Sequence, residues 1–321
     1  MIVKVEYILI FIVILLLCYN LFNSCGCGKG DGFSVGYQSY SNCDISQKEV
    51  CIENINRNIP CNNLDVSDCD FQNAWPSDPD PHFHLSSYVE DGEFVNTKFS
   101  KSNLSNSTFY KCNFNNSDFQ ESILENVNFK YCDLRGTNFN KTNLSQSITM
   151  SNASLTNSII TNSNASGIYL RNSILMNANL SNSIFNNADL INTNLINSSL
   201  VGAKLINTRL SDSTLNNVNL SGADLSDADL NNAKLIGADL SGADLTNTYL
   251  GNANLNNAKL IGANLNNAKL IGANLSGADF SGANLININR NNMNQKIVCN
   301  KDTIFNKGFI NTCKSQGFTY I

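Results

Sequence analysis

Charged residues make up only 15% of this 321-residue sequence, which also holds just four prolines, two histidines and one tryptophan. Each shortage excludes something. Two histidines rule out a histidine-rich metal site and argue against histidine-based catalysis. With 26 Asp+Glu against 21 Lys+Arg and a net charge of −5, the chain is no cationic nucleic-acid binder, because phosphate contacts need clustered Lys and Arg. What abounds is asparagine, at 57 residues, far above ordinary globular usage. The length would allow two ordinary domains, but a composition this biased points to a repetitive chain.

The few charges are unevenly spread. Residues 1–41 balance Lys4 and Lys29 against Glu6 and Asp31. Residues 42–91 carry ten acids against Lys48 and Arg57, a net −8, while residues 92–289 carry 13 acids and 12 bases. From Arg290 onward five bases face Asp302 alone, giving +4. A nearly neutral middle separates an acidic end from a basic one.

Ile8 to Leu17 is an unbroken apolar run, and the stretch Tyr7 to Phe22 is 16 residues long. That is slightly short of the roughly 20 that span a bilayer, so residues 1–24 read as a hydrophobic anchor helix or a signal segment. The flanks favour a retained single-pass anchor with the rest of the chain on the non-cytoplasmic side. Cleavage after Gly26, with Ser24 at −3, would instead give a secreted protein. Residues 25–41 begin with Cys25-Gly26-Cys27-Gly28-Lys29-Gly30-Asp31-Gly32, whose alternating glycines maximise backbone freedom and make a tether.

Cys43, Cys51, Cys61 and Cys69 crowd into the acidic region 42–91, and Cys299 and Cys313 flank a short segment of the tail, 290–321. Locally even numbers suggest disulfides in an oxidising compartment, in keeping with export past an anchor. Free thiols and zinc are the rivals, but the spacings of 8, 10 and 8 contain no Cys-x-x-Cys knuckle. His82 and His84 sit among Pro79 and Pro81 and read as part of a rigid linker rather than as metal ligands.

A period of five runs from Gly92 to Asn289. Phe94, Phe99, Leu104, Phe109 and so on to Leu144 recur without a miss, the phase then slips, and from Leu155 to Leu285 every fifth residue is again apolar, 23 of 27 being Leu. Two positions before each of these centres stands a small residue, such as Ser102, Cys112, Ala223 or Ala243. A 3.6-residue period would scatter the centres around a helix, and a period of two would throw alternate members to opposite faces of a strand. A coil with a corner every five residues satisfies both columns, with Asn, Asp, Ser and Gly supplying the turns.

The units Ala223-Asp224-Leu225-Ser226-Asp227, Ala238-Asp239-Leu240-Ser241-Gly242 and Ala263-Asn264-Leu265-Asn266-Asn267 closely resemble pentapeptide-repeat proteins, whose signature is A(D/N)LXX. The resemblance implies an all-β fold, a right-handed quadrilateral β-helix of four units and 20 residues per coil. Some 38 units make roughly nine to ten coils, about 45 Å at the spacing of paired strands. An extra residue is expected between Ser147 and Ala153, and a bulge or bend around Thr149, Ala165 and Ile168, where the pattern is weakest.

With a period of 20, Cys112 and Cys132 fall on successive coils in the small inward position, where parallel Cβ vectors disfavour a disulfide and predict free core thiols. Positions just before the centres form outward ladders. Asp189, Arg209 and Asp229 should stack with alternating charge, as should Asp239, Lys259 and Asp279, with Asp224 over Asp244 a like-charge exception. No catalytic, cofactor or metal residues emerge. The expected function is a non-enzymatic, membrane-tethered or exported rod that acts as a structural or protein-interaction surface without binding nucleic acid. The acidic and basic ends suggest weak head-to-tail self-association. The alternative comes from members of the resembled family that mimic B-DNA and inhibit type II topoisomerases, a role that needs a strongly acidic rod.

Overall fold

The computed structural model describes residues 87–145, 147–285 and 288, with two short backbone pairs at 298–299 and 319–320. The expected anchor, tether and most of the acidic region lie outside the described residues, as do His82 and His84.

One unit shows how the sequence makes a corner. Leu225 accepts a hydrogen bond at its carbonyl from Ala228 N (3.0 Å), closing a four-residue turn whose third residue, Asp227, has φ 58°. L-residues resist that left-handed conformation, and Asn, Asp and Gly resist it least, so these types fill nearly every corner after Ser147. The residue before the leucine has its own task. Asp224 Oδ1 accepts Ser226 N at 3.0 Å, and Asp239 and Asp244 accept Ser241 N and Thr246 N in the same way, so the Asp or Asn of each unit is a turn-forming side chain.

Successive coils pair in parallel. Leu225 N donates to Asp244 O (2.7 Å), Asp227 N to Thr246 O (2.9 Å), and Asp244 N back to Ala223 O (2.9 Å). This pattern recurs along four columns of bridges: a first face from Glu93 to Asn274, a second from Lys98 to Asp279, a third from Asn103 to Asn284 and a fourth from Thr108 to Lys269. The result is a parallel β-helix of about ten coils. All four prolines precede residue 92, which leaves every N–H of the ladder available. The pairing begins upstream of Gly92: β1 (Ser87–Glu90) runs parallel to β2 (Ser107–Tyr110), with Val89 opposite Phe109 and buried like a centre. In the tail, β3 (Val298–Cys299) pairs in parallel with β4 (Thr319–Tyr320).

The large centres and the small residues two positions before them are both buried, so each coil is closed around a dry interior. The small position often carries a hydroxyl, and that hydroxyl donates to a neighbouring carbonyl: Thr208 Oγ1 to Phe185 O (2.7 Å) and Thr248 Oγ1 to Leu225 O (3.0 Å). Ser107 and Ser158 have buried hydroxyls with no hydrogen-bond partner. Replacing Ser158 by alanine, the residue found at this position in most later units, is therefore expected to raise stability by about 1 kcal/mol in urea unfolding.

In the first third seven of the eleven centres from Phe94 to Leu144 are phenylalanines, and the coil spacing arranges them. Phe94 stacks on Phe114 (4.6 Å, 6°), and Phe119 lies between Phe99 (5.1 Å) and Phe139 (5.0 Å). Across columns the rings meet edge to face, as Phe109 does with Phe114 at 89°. Both are preferred aromatic geometries.

Two expectations about irregularity need correction. The bridges Asn128↔Thr149 and Asn143↔Asn164 span 21 residues while Thr149↔Tyr169 spans 20, so the extra residue lies in the turn between Leu144 and Ile148, upstream of the expected place. Ser147 takes the left-handed corner there, with φ 64°. Around Ala165 and Ile168 the coil neither bulges nor bends. Ala165 N pairs with Ile184 O at 2.7 Å, and Ala165 and Ile168 are both buried. The missing bulk is restored within the column, because the next coil places Phe185 beside Ala165.

Candidate functional site

The interior is filled by the apolar centres and by small residues, so the charged side chains stand on the outer faces. Among the described residues no group of three or more His, Cys, Asp or Glu could hold a metal ion, and no helix is long and apolar enough to cross a membrane.

Cys112 and Cys132 are free and buried. Their thiols donate to carbonyls one coil back, Cys112 Sγ to Val89 O (3.3 Å) and Cys132 Sγ to Phe109 O (3.2 Å). Burial, reinforced by the adjacent Cys112, pushes the Cys132 thiol far above the ordinary range, so it is not a nucleophile at neutral pH. Thiol labelling of the native protein followed by peptide mapping is expected to leave both unmodified. Labelling after unfolding without reductant should modify both, and failure to modify either would contradict their being free. Of the disulfide candidates, Cys43, Cys51, Cys61, Cys69 and Cys313 lie outside the described residues, and only the backbone of Cys299 is described, in β3.

The fourth face carries the densest cluster of charge. Asp189, Arg209 and Asp229 are successive members of its bridge column. The pairing within that stack is one-sided: Arg209 Nη1 reaches back to Asp189 Oδ2 (3.1 Å), while Asp229 is held by Ser211 Oγ (3.2 Å) and by Asn231 N (3.0 Å). Asp189 has a second cation, Arg171 Nε at 2.7 Å, and Ile191 N closes on its Oδ1 at 3.3 Å. Its side chain is 10% exposed, against 46% for Arg171 and 53% for Arg209. A nearly buried carboxylate thus holds two guanidinium groups at the surface. Reading at spacing 20 misses Arg171. It stands 18 residues before Asp189, just after a centre, and Ser211 reaches Asp229 along the same diagonal.

On the second face, Asp239, Lys259 and Asp279 likewise share a column. Burial raises the Asp239 pKa, but the hydroxyl and N–H of Ser241 and the charge of Lys259 outweigh it, leaving the carboxyl below its usual value. A lowered folded-state pKa adds stability above the unfolded pKa that is lost as pH falls through the folded value. Lys259→Gln is expected to move the Asp239 midpoint upward in a carboxylate NMR titration, and an unchanged midpoint would remove Lys259 as a cause. The like-charge pair on the third face also has an account. Asp224 and Asp244 each accept an N–H and a hydroxyl from their own turn, and Asn264 Nδ2 donates to Asp244 Oδ1 at 3.2 Å.

The faces carry one further regularity that the sequence reading passed over. The five tyrosines with described side chains, Tyr88, Tyr110, Tyr131, Tyr169 and Tyr249, all lie on the fourth face or the turn following it. Tyr110 and Tyr131 meet edge-on at 5.4 Å, and Lys269 Nζ lies 3.6 Å from the ring centre of Tyr249. The signal was available in the spacing, once the 21-residue coil is counted.

A parallel coil with left-handed Asn and Gly corners, Asx turns and inward Leu and Ala columns defines a repeat solenoid whose working parts are its faces. The family comparison agrees. The model for pentapeptide repeats matches residues 173–212, 213–252 and 248–285, and that for the pentapeptide repeat region matches 82–164 and 106–180. The chain belongs to the pentapeptide-repeat family. No curated protein matches it. Among solved structures it is similar to HetL, a pentapeptide repeat protein involved in heterocyst differentiation regulation from the cyanobacterium Nostoc sp. strain PCC 7120, with 24% identity over 76% of this chain and 86% of that one and a TM-score of 0.29. It is also similar to Rfr23 from the cyanobacterium Cyanothece 51142, with 32% identity over 37% of this chain and 64% of that one and a TM-score of 0.26. For QnrB1, a plasmid-mediated fluoroquinolone resistance protein, the identity is 18% over 64% of this chain and 91% of that one, with a TM-score of 0.28.

Proposed function

We propose that the chain is a membrane-tethered or exported rod that works as a non-enzymatic structural or interaction surface. The observation that supports this reading is the burial of every centre column inside the coil, which leaves only the outer faces to meet a partner. Pentapeptide-repeat proteins are in general structural or interaction proteins rather than enzymes. The tether rests on the apolar run Ile8 to Leu17 and the glycine-rich stretch after it. Head-to-tail contact between the acidic region 42–91 and the basic tail belongs to the same proposal, and weakening of self-association by salt in analytical ultracentrifugation is its signature.

Mimicry of B-DNA is the weaker reading. It needs a dense negative field, whereas residues 92–289 hold 13 acids and 12 bases, and Asp189 is matched by Arg171 and Arg209. Fractionation of cells with protease protection tests the main reading. The chain should sediment with membranes, or leave the cell, and in sealed vesicles the repeat should resist protease. Recovery of the whole chain in the cytosol would overturn it, as would inhibition of topoisomerase supercoiling at micromolar protein.

A further inference from the structure

Cys112 and Cys132 occupy the small inward position of the first face on successive coils, beside the bridge Asn113↔Asp133. Their sulfurs are held alike. Cys112 Sγ lies 3.3 Å from Val89 O and 3.6 Å from Tyr110 O, and Cys132 Sγ lies 3.2 Å from Phe109 O and 3.8 Å from Lys130 O, the same two carbonyls relative to each cysteine. Two side chains in matching positions on successive coils are related by the coil repeat, which sets their sulfurs about 4.8 Å apart.

We propose that this pair is a binding site for a soft cation that takes two ligands in line, the class to which Cu(I), Ag(I) and Hg(II) belong. Distance carries the argument. Metal–thiolate bonds are about 2.3 Å long, so two in line span about 4.6 Å, close to the separation that the coils impose. The rival uses of two thiols need them closer. A tetrahedral ion such as zinc holds two sulfurs about 3.8 Å apart and wants two further ligands, and a disulfide draws the Cβ atoms themselves to about 3.8 Å. Among the described residues no group of three His, Cys, Asp or Glu forms that would complete a tetrahedral site here.

Charge and softness agree with distance. Both thiols are buried, and burial penalises a bare thiolate. A divalent ion that displaces both S–H protons leaves a neutral M(SR)2 unit, and a monovalent ion that displaces one leaves an equally neutral pair of one thiolate and one thiol. The centres of these coils, Phe109, Phe114 and Phe129, are fully buried, so the sulfurs are soft donors in an interior of phenylalanine, which suits a soft ion and repels a strongly hydrated one. The column also starts with an opening. Gly92 stands in the same position one coil before Cys112 and is half-buried, and a Cβ placed there would sit 3.4 Å from Cys112 Sγ. The glycine thins the wall over that sulfur. The site lies inside the coil and does not rest on the tethered-rod reading.

The test uses the full-length protein in mild detergent, reduced and then alkylated in the native state, which blocks accessible thiols and spares these two. It is exposed without oxygen to Ag(I), Hg(II) or Cu(I), both folded and during refolding from urea, and desalted. For at least one of the three, the wild type should keep a single ion that Cys112→Ala and Cys132→Ala each lose, and native mass spectrometry should show one proton lost for each positive charge gained. Alanine fills this column in later coils, as at Ala153 and Ala233, so both variants should fold. X-ray absorption of the mercury form should find two sulfurs at about 2.3 Å and no third ligand. Retention no greater in the wild type than in both alanine variants, after refolding as well as before, would overturn the proposal. A retained ion with three or four ligands would also overturn it, as would zinc held by the wild type alone.

Discussion

Replacing Phe119 by alanine is expected to destabilise the repeat by about 3 to 5 kcal/mol, near the upper end for any single truncation. Phe119 is fully buried, stacked between Phe99 and Phe139 and met edge-on by Phe114 at 5.3 Å and Phe129 at 5.7 Å. Four rings would lose their partner at once. The cavity has no easy way to collapse, because each neighbouring ring belongs to a backbone tied into the ladder above and below. In a solenoid each coil leans only on its neighbours, so the early coils should melt ahead of the leucine-rich ones, turning a single urea transition into two. A loss below about 1 kcal/mol would mean that the Phe columns are not packed as described.

Replacing Asp189 by alanine should cost about 2 kcal/mol, more than removing any other carboxylate of the rod. The carboxylate is nearly buried, and its loss strands Arg171 Nε, Arg209 Nη1 and the N–H of Ile191. Both arginines are about half exposed and can turn to water, which keeps the cost below the 3 to 5 kcal/mol of a fully buried pair. Asp189→Asn keeps an acceptor for Ile191 and should lose less. Double-mutant cycles between Asp189 and each arginine are expected to give couplings of at least about 0.5 kcal/mol. Zero coupling for both would show that the ion pairs are not formed in solution.

The coil itself could be read from residues because each unit states the same demands: Leu or Phe inward, a small residue two positions earlier, and Asn, Asp or Gly where the backbone turns left-handed. The place of the extra residue was harder to read. Ser145 and Ser147 suit a turn as well as any unit does, and Ile148, Met150 and Ala153 are all apolar, so the phase could slip at several points between Leu144 and Leu155. Only the bridges fix it in the turn before Ile148. Ala165 misled because column packing is three-dimensional, and Phe185 compensates for it from the next coil. The start of the ladder was hidden for a related reason, since Val89 fills a centre position without the motif around it.

On the surface, spacing 20 gave the members of each column but not the partners of each charge. Long side chains reach diagonally, and Arg171 finds Asp189 across 18 residues. The tyrosine column needed one more step. Tyr88, Tyr169 and Tyr249 share a column only when the 21-residue coil between residues 128 and 149 is counted.

The faces exist only if surface residues 20 apart lie directly above one another. Spin labels at positions 179 and 279, introduced through genetically encoded ketone residues so that the native cysteines stay untouched, would measure it by double electron–electron resonance. The positions of Asn179 and Asp279 are five coils apart in the second-face column, which predicts a narrow distance distribution centred within several ångströms of ~24 Å. A broad distribution, or one centred near the roughly 55 Å of a flexible chain of that length, would contradict the coil and with it the assignment of residues to faces.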